Sequence, residues 1–151
     1  MRRSKKTYKR QQKMWNKARI ERDKKLKKDF GLVKEREIWR AETMLRKYRR
    51  LARDVMATKD KNKGKELLEK LSRMGILEKG AGIDDVLGLT VEEVLERRLQ
   101  TVVFRLGLAN TQKQARQMIT HGHIKVNGRK TRYPSRLILK GEEDKIEVIK
   151  K

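Results

Sequence analysis

Between Arg97 and Lys140 the chain carries eleven Lys or Arg residues and no Asp or Glu, although twenty acids are spread over the rest of it. A core as small as this segment can build does not hold unpaired charge. Its cations therefore cannot all point inward, and with no acid nearby in sequence they have few local partners. The order of residues adds shape to the charge. RRLQTVVFRLGLA reads as one helix, TQKQARQMITHG as a second, and HIKVNGRK as a hairpin. The segment is thus expected to fold as a small helix-helix-hairpin unit with a single-sign field around it.

The remaining charge is segregated as well. Residues 1–63 are net +17, residues 64–96 net −4 and residues 141–151 net −1, against +11 for residues 97–140 and +23 for the whole chain. Segregation of this kind argues for defined surfaces facing a polyanion rather than for general solubility. Hydrophobic residues make up 36% of the 151 and charged residues 42%, so the core must be thin. Part of the chain is expected to order only on a partner, because little apolar area offsets backbone entropy. The length suits one domain, or two small ones sharing an interface.

With no cysteine, disulfides, thiolate zinc sites and cysteine nucleophiles are excluded together, and a reducing interior fits. No apolar run reaches the ~18 residues of a spanning helix, so no membrane partner is expected. The first twenty residues hold nine Lys or Arg and no acid. An organelle presequence shares that charge, but apolar residues are sparse and Ser occurs once, so a basic arm along phosphates is the better reading. A cytoplasmic location follows.

Residues 1–30 lack sustained periodicity and read as a tail or an induced helix. From Lys34 to about Ala57, Ile38, Ala41, Leu45, Tyr48, Ala52 and Val55 form a helical stripe. Thr58–Gly64 reads as a polar break, and a second helix is predicted over Lys65–Met74 with Gly75 as its stop. A short helix over Ile83–Leu89 follows. Thr90 and Glu93 form a capping box that opens a helix running to about Leu106, with Leu106 inside. Thr111 and Gln114 repeat the box for a helix to about Thr120. Asn127-Gly128 between Ile124–Val126 and Arg129–Thr131 is the strongest short hairpin signal, since a type I′ turn needs positive φ at both central residues. Leu137–Leu139 and Lys145–Ile149 read as two further strands around a Gly141–Asp144 turn. The expected fold class is α+β: a basic arm over 1–33, a helical domain over 34–96, and a helix-helix-β-hairpin module with short antiparallel strands over 97–151.

Fixed cations around a tight hairpin present donors to phosphates, while His, Asn and Gln reach 2′-hydroxyls and base edges, so RNA is the expected ligand. The motif order carries a resemblance. Arg97-Arg98-Leu99-Gln100, the Arg105-Leu106-Gly107 helix end, Thr111–Arg116 and His121–Arg129 resemble the RNA-binding module of small-subunit ribosomal protein four. Many RNA-modifying enzymes and synthetases carry that module as an appendage. Upstream, Arg36–Glu42, Met44–Arg50 and Asp85–Val91 resemble the ribosomal protein family itself, in its archaeal or eukaryotic form.

The resemblance implies direct binding of small-subunit ribosomal RNA, early action in assembly, a place near the messenger entry side, and contact with small-subunit ribosomal protein five and other ribosomal proteins. It implies an RNA face built from Arg98, Arg105, Thr111, Lys113, Gln114, Arg116, His121, His123, Lys125 and Arg129. Arg97, Asn127 and Lys130 complete that face, and Arg40, Arg46, Arg49 and Arg50 would contact RNA from the N-terminal helices. The cysteines with which some members bind zinc are missing, and the C-terminus is short for the family, which leaves the tail contacts of longer relatives outside the expected set.

No enzyme is expected, nor any cofactor, metal or small-molecule substrate. His121 and His123 are spaced like strand-face ligands, but two ligands do not close a zinc site and no carboxylate lies close in sequence to orient either ring. Gly80-Ala81-Gly82 lacks the Lys and Ser/Thr of a phosphate loop. Glu92, Glu93 and Glu96 serve capping and a solvated face. Trp39 reads as core or domain interface; Trp15 and Tyr8 sit among basic residues where stacking on RNA is credible. A related assembly factor on precursor ribosomal RNA is the alternative reading, and an RNA-modifying enzyme would need a catalytic domain that residues 1–89 do not supply.

Overall fold

The computed structural model describes residues 6–9 and 15–149. Helix α1 (Lys17–Asp29) starts where the Asn16 side chain accepts the Arg19 amide at 3.3 Å. The sequence gives this region no apolar stripe, and the helix has little: Leu26 is its one buried apolar residue. What holds it is ionic, since Arg19 (3.2 Å) and Arg22 both reach Glu42 on the next helix. Of the two readings, tail or induced helix, residues 17–29 take the helix, docked on α2 by charge pairs that periodicity does not register.

Helix α2 (Glu35–Thr58) buries all six residues of the predicted stripe. Helix α3 (Lys61–Arg73) begins four residues earlier than expected, because Asp60 accepts the Asn62 and Lys63 amides. Gly64, read as part of a break, lies inside α3 and is buried. A Cβ there would stand 3.1 Å from Ile83 and 3.2 Å from Val55, so its smallness lets α3 approach α2 and α4 (Ile83–Gly88).

The expected helix from Val91 to Leu106 is broken in two. Helix α5 (Val91–Glu96) carries the Thr90–Glu93 capping box, and α6 (Leu99–Arg105) follows it. Between them Arg98 is extended (φ −73°, ψ 141°) and bridges to Leu137. The Ile138 amide donates to Arg97 O and the Leu99 amide to Arg136 O. The long-range pairing of 97–99 with 136–138 outcompetes helix continuation, and Leu106 ends 44% exposed rather than inside. Residues 137–139 are thereby spent and do not pair with 145–149.

Helix α7 (Gln112–Thr120) leads into β1 (Ile124–Val126) and β2 (Arg129–Lys130), joined by Asn127 and Gly128 at φ 52° and 74° as the turn requires. Strand β3 (Ile146–Val148) pairs antiparallel with the other side of β1, giving the order β2-β1-β3. The fold class is α+β as expected. Among the described residues two hydrophobic cores form: one from Leu26 to Leu95, and a smaller one from Leu99 to Ile146 under the sheet. Among the described residues no helix is long and apolar enough to cross a membrane.

Candidate nucleic-acid interface

The block that is acid-free in sequence is not acid-free in space. Five of its cations take acids from outside it: Arg98 and Arg116 pair with Glu37, Arg105 with Glu96, Arg97 with Glu143 and Arg136 with Glu142. Few partners are expected nearby in sequence, and the partners these arginines find come from outside the block. Sequence distance concealed the acids, since Glu37 lies 61 and 79 residues from the two arginines it holds.

Glu37 sits in the first turn of α2, where its carboxylate also accepts the Lys34 amide at 3.4 Å. Arg116 reaches both of its oxygens at 3.1 Å, and Arg98 also donates to Oε2. Burial alone would raise its pKa, but the hydrogen bonds from Arg116 and Arg98 outweigh it and pull the carboxyl down to about 2. Arg98 is only 6% exposed, and burial lowers its pKa despite Glu37. Gln100 completes the node. Its Nε2 lies 3.0–3.2 Å from the carbonyls of Phe30, Gly31 and Gln112, and its Oε1 accepts from Arg116. The node ties the loop after α1 and the start of α2 to α6 and α7, so it fixes one core against the other. Arg97 works similarly, donating to Met74 O and Ile138 O.

The other six cations differ. Among the described residues Lys113, Lys125, Arg129, Lys130, Arg132 and Lys140 form no ion pair within 4.0 Å, and all but the half-buried Lys125 are exposed. Strand register places Lys125 opposite Lys130 on the face away from the core, with Glu147 on the far side. A Cβ on Gly122 would meet the Lys130 chain at 2.3 Å and Arg132 Nε at 3.4 Å, so both side chains lie over the end of α7. There the His121 and His123 rings run parallel, 4° apart in plane and 6.3 Å between centroids. Hairpin, helix end and histidines thus form one basic corner.

The remaining expected residues divide. Thr111 caps α7 through the Gln114 amide, while Gln114 Oε1 accepts from Asn110 rather than Thr111. The Asn127 amide group donates to Glu142 at 2.8 Å, bracing the turn. On α2, Arg40 is exposed and its charge lowers the Arg98 pKa, which places it beside the node. Arg46 is exposed, and Arg50 is 80% exposed with Asp54 at 3.8 Å. Arg49 is half-buried and donates to Leu89 O. Sequence reasoning missed Glu37, Gln100, Arg132 and Lys140. An acid at the third position of a helix, inside a basic segment, was the available signal for Glu37. No group of three or more His, Asp or Glu side chains that could hold a metal ion occurs among the described residues.

Comparison with known proteins follows the same division. The S4 domain family matches residues 97–144, and the ribosomal protein S4/S9 N-terminal domain matches residues 1–96. Small ribosomal subunit protein uS4 of Methanothermobacter thermautotrophicus is 51% identical over 135 residues, covering 87% of this chain and 79% of the relative. The Korarchaeum cryptofilum protein of the same name is 46% identical over 151 residues, covering 99% and 91%. That of Nanoarchaeum equitans is 51% identical over 140 residues, covering 89% and 78%.

Proposed function

The chain belongs to the small ribosomal subunit protein uS4 family, and from that premise we propose that it binds small-subunit ribosomal RNA as a structural component of the subunit. The sorting of its cations carries the reading. The arginines at the junction of the two cores are held in ion pairs, whereas among the described residues Lys125, Arg129, Lys130 and Arg132 around the hairpin and the end of α7 form none. Unpaired cations on a rigid corner suit phosphates, which position an RNA, while the adjacent histidines suit 2′-hydroxyls and bases. The protein performs no chemistry of its own. As part of the ribosome it works in the cytoplasm.

Direct RNA contact is assigned to Lys113, Lys125, Arg129, Lys130, His121 and His123, with Arg132 and Lys140 added, and to Arg40, Arg46 and Arg50 on α2. Arg97, Arg98, Arg116 and Arg49 act on RNA through the shape they hold, because their guanidinium groups are engaged with protein. Arg105 contributes from its exposed pair with Glu96. Residues 34–96 and 97–151 serve as two modules. The family resemblance further supports an early role in assembly, a site near the messenger entry side, and contact with small-subunit ribosomal protein five.

A salt titration of binding to in vitro transcribed small-subunit ribosomal RNA tests the reading. The log–log slope is expected to be steep, about −0.7 to −0.9 for each phosphate engaged; a flat dependence refutes it. Sedimentation separates the alternative. Stoichiometric presence in mature small subunits excludes an assembly factor confined to precursor RNA.

A further inference from the structure

The residues beside Tyr8 and Trp39 play no part in the corner described above, yet they line a cleft of their own. The 6–9 segment lies against α2, where the Lys9 amide donates to Thr43 Oγ1 at 3.2 Å and that hydroxyl donates to Trp39 O at 2.7 Å. This brings the Tyr8 and Trp39 rings to 5.7 Å between centroids with their planes 43° apart. Both rings line a cleft of about 380 Å³, within the ~300–1,000 Å³ range of small-ligand sites. Tyr8 and Trp39 are both half-buried, so the cleft they line is open to a ligand.

Charge says which group. Among the described residues Glu35 is the one acid in the wall, and Lys27 neutralises it at 3.1 Å. Lys6, Lys34 and Arg36 also line the cleft, are exposed, and form no ion pair among the described residues. Aromatic rings beside a rim of unpaired cations match a nucleobase stacked on one ring with its phosphates on the cations, since base stacking is sequence-tolerant and cations track the backbone. A purely apolar peptide side chain would leave those cations without purpose.

We propose that the Tyr8–Trp39 cleft binds one unstacked nucleotide of ribosomal RNA, with the base stacked on Trp39 beside Tyr8 and its phosphates on Lys6, Lys34 and Arg36. The site rests on the RNA-binding reading and extends it to a contact separate from the hairpin corner. It converts Trp39 from a packing residue into a recognition residue.

The full chain carrying Trp15→Phe, which leaves Trp39 as its only tryptophan, is titrated with in vitro transcribed small-subunit ribosomal RNA. Fluorescence and filter retention are read on the same samples. Stacking quenches Trp39 as RNA is retained. In this background Trp39→Leu lowers affinity by about 5- to 150-fold, the measured range for loss of one base–aromatic stack, whereas Trp39→Phe retains most of it. If Trp39→Leu also lowers the unfolding midpoint, Tyr8→Leu, which lies outside both cores, decides by the same loss of affinity. Retention of RNA with unquenched Trp39 and equal affinity for the Phe and Leu variants overturns the site and leaves the function standing. Failure to retain RNA at all overturns both. Photocrosslinking of Tyr8 or Trp39 to a protein rather than a nucleotide in purified subunits also overturns it.

Discussion

Glu37→Gln is the most informative single change. A fall in the Glu37 pKa from 4.5 to about 2 corresponds to roughly 3 kcal/mol in favour of the charged carboxylate. Two facts discount that figure. The side chain keeps 12% of its surface in water, and the Arg98 pKa moves downward, so part of the gain is offset by burying the guanidinium. Gln keeps the shape and one acceptor but leaves Arg98 buried without a counter-charge, with its Nε already lacking a hydrogen-bond partner. The expected loss is about 2–3 kcal/mol at pH 7, or roughly 4–12 °C in unfolding midpoint for a chain of this size. The pH dependence has a fixed sign. A folded pKa below the unfolded one gives stabilisation that is complete above about pH 4.5 and lost as pH falls through about 2. The difference between wild type and Glu37→Gln should therefore be constant above pH 5 and shrink between pH 4.5 and 2. Using the difference cancels Asp60, whose pKa is also lowered by Lys63. RNA binding supplies an opposite-sign check. Removing a negative charge ordinarily strengthens binding to a polyanion, whereas loss of the node should weaken it by misaligning the two modules. Denaturation at several pH values and one binding titration measure all of this. An unchanged midpoint at pH 7, or tighter RNA binding by the variant, refutes the reasoning.

Three further outcomes are expected. Lys125→Ala, Arg129→Ala and Lys130→Ala should each reduce the salt slope by about 0.7–0.9 with little change in unfolding midpoint, whereas Arg98→Ala should lower the midpoint first; equal behaviour of the two groups would erase the sorting of cations. Gly31→Ala should destabilise by about 2 kcal/mol or more, because φ is +56° and the added Cβ would stand 2.7 Å from Gln112 Cβ and 2.9 Å from Gln100 Nε2; chemical denaturation measures it. Asn127→Ala should cost about 1–2 kcal/mol through the left-handed turn position and the lost bond to Glu142, and a variant as stable as wild type would mean the turn is not under that constraint.

Much of the fold was legible because short-range rules decide it. The α2 stripe, the Thr90 and Thr111 caps and the Asn127-Gly128 turn each depend on residues within one or two turns of each other. What the sequence left open or misread shares a cause of the opposite kind. Helix α1 is held by Glu42, the α5–α6 break by residues 136–138, and β3 by β1 rather than by its sequence neighbour. None of these partners lies within a pattern window.

The same boundary runs through the candidate site. The sequence by itself determined that residues 97–140 form a basic unit, because the absence of acid there is a property of composition that no folding can alter. It also determined the hairpin that presents part of that charge. Which cations stay available was decided only in three dimensions. An ion pair depends on the distance between charges in space, and the fold brings Glu37, Glu96, Glu142 and Glu143 to five of the eleven. Burying Arg98 without such a partner would be prohibitive, so the tertiary structure turned part of a uniform positive block into the joint that holds the rest of it in place.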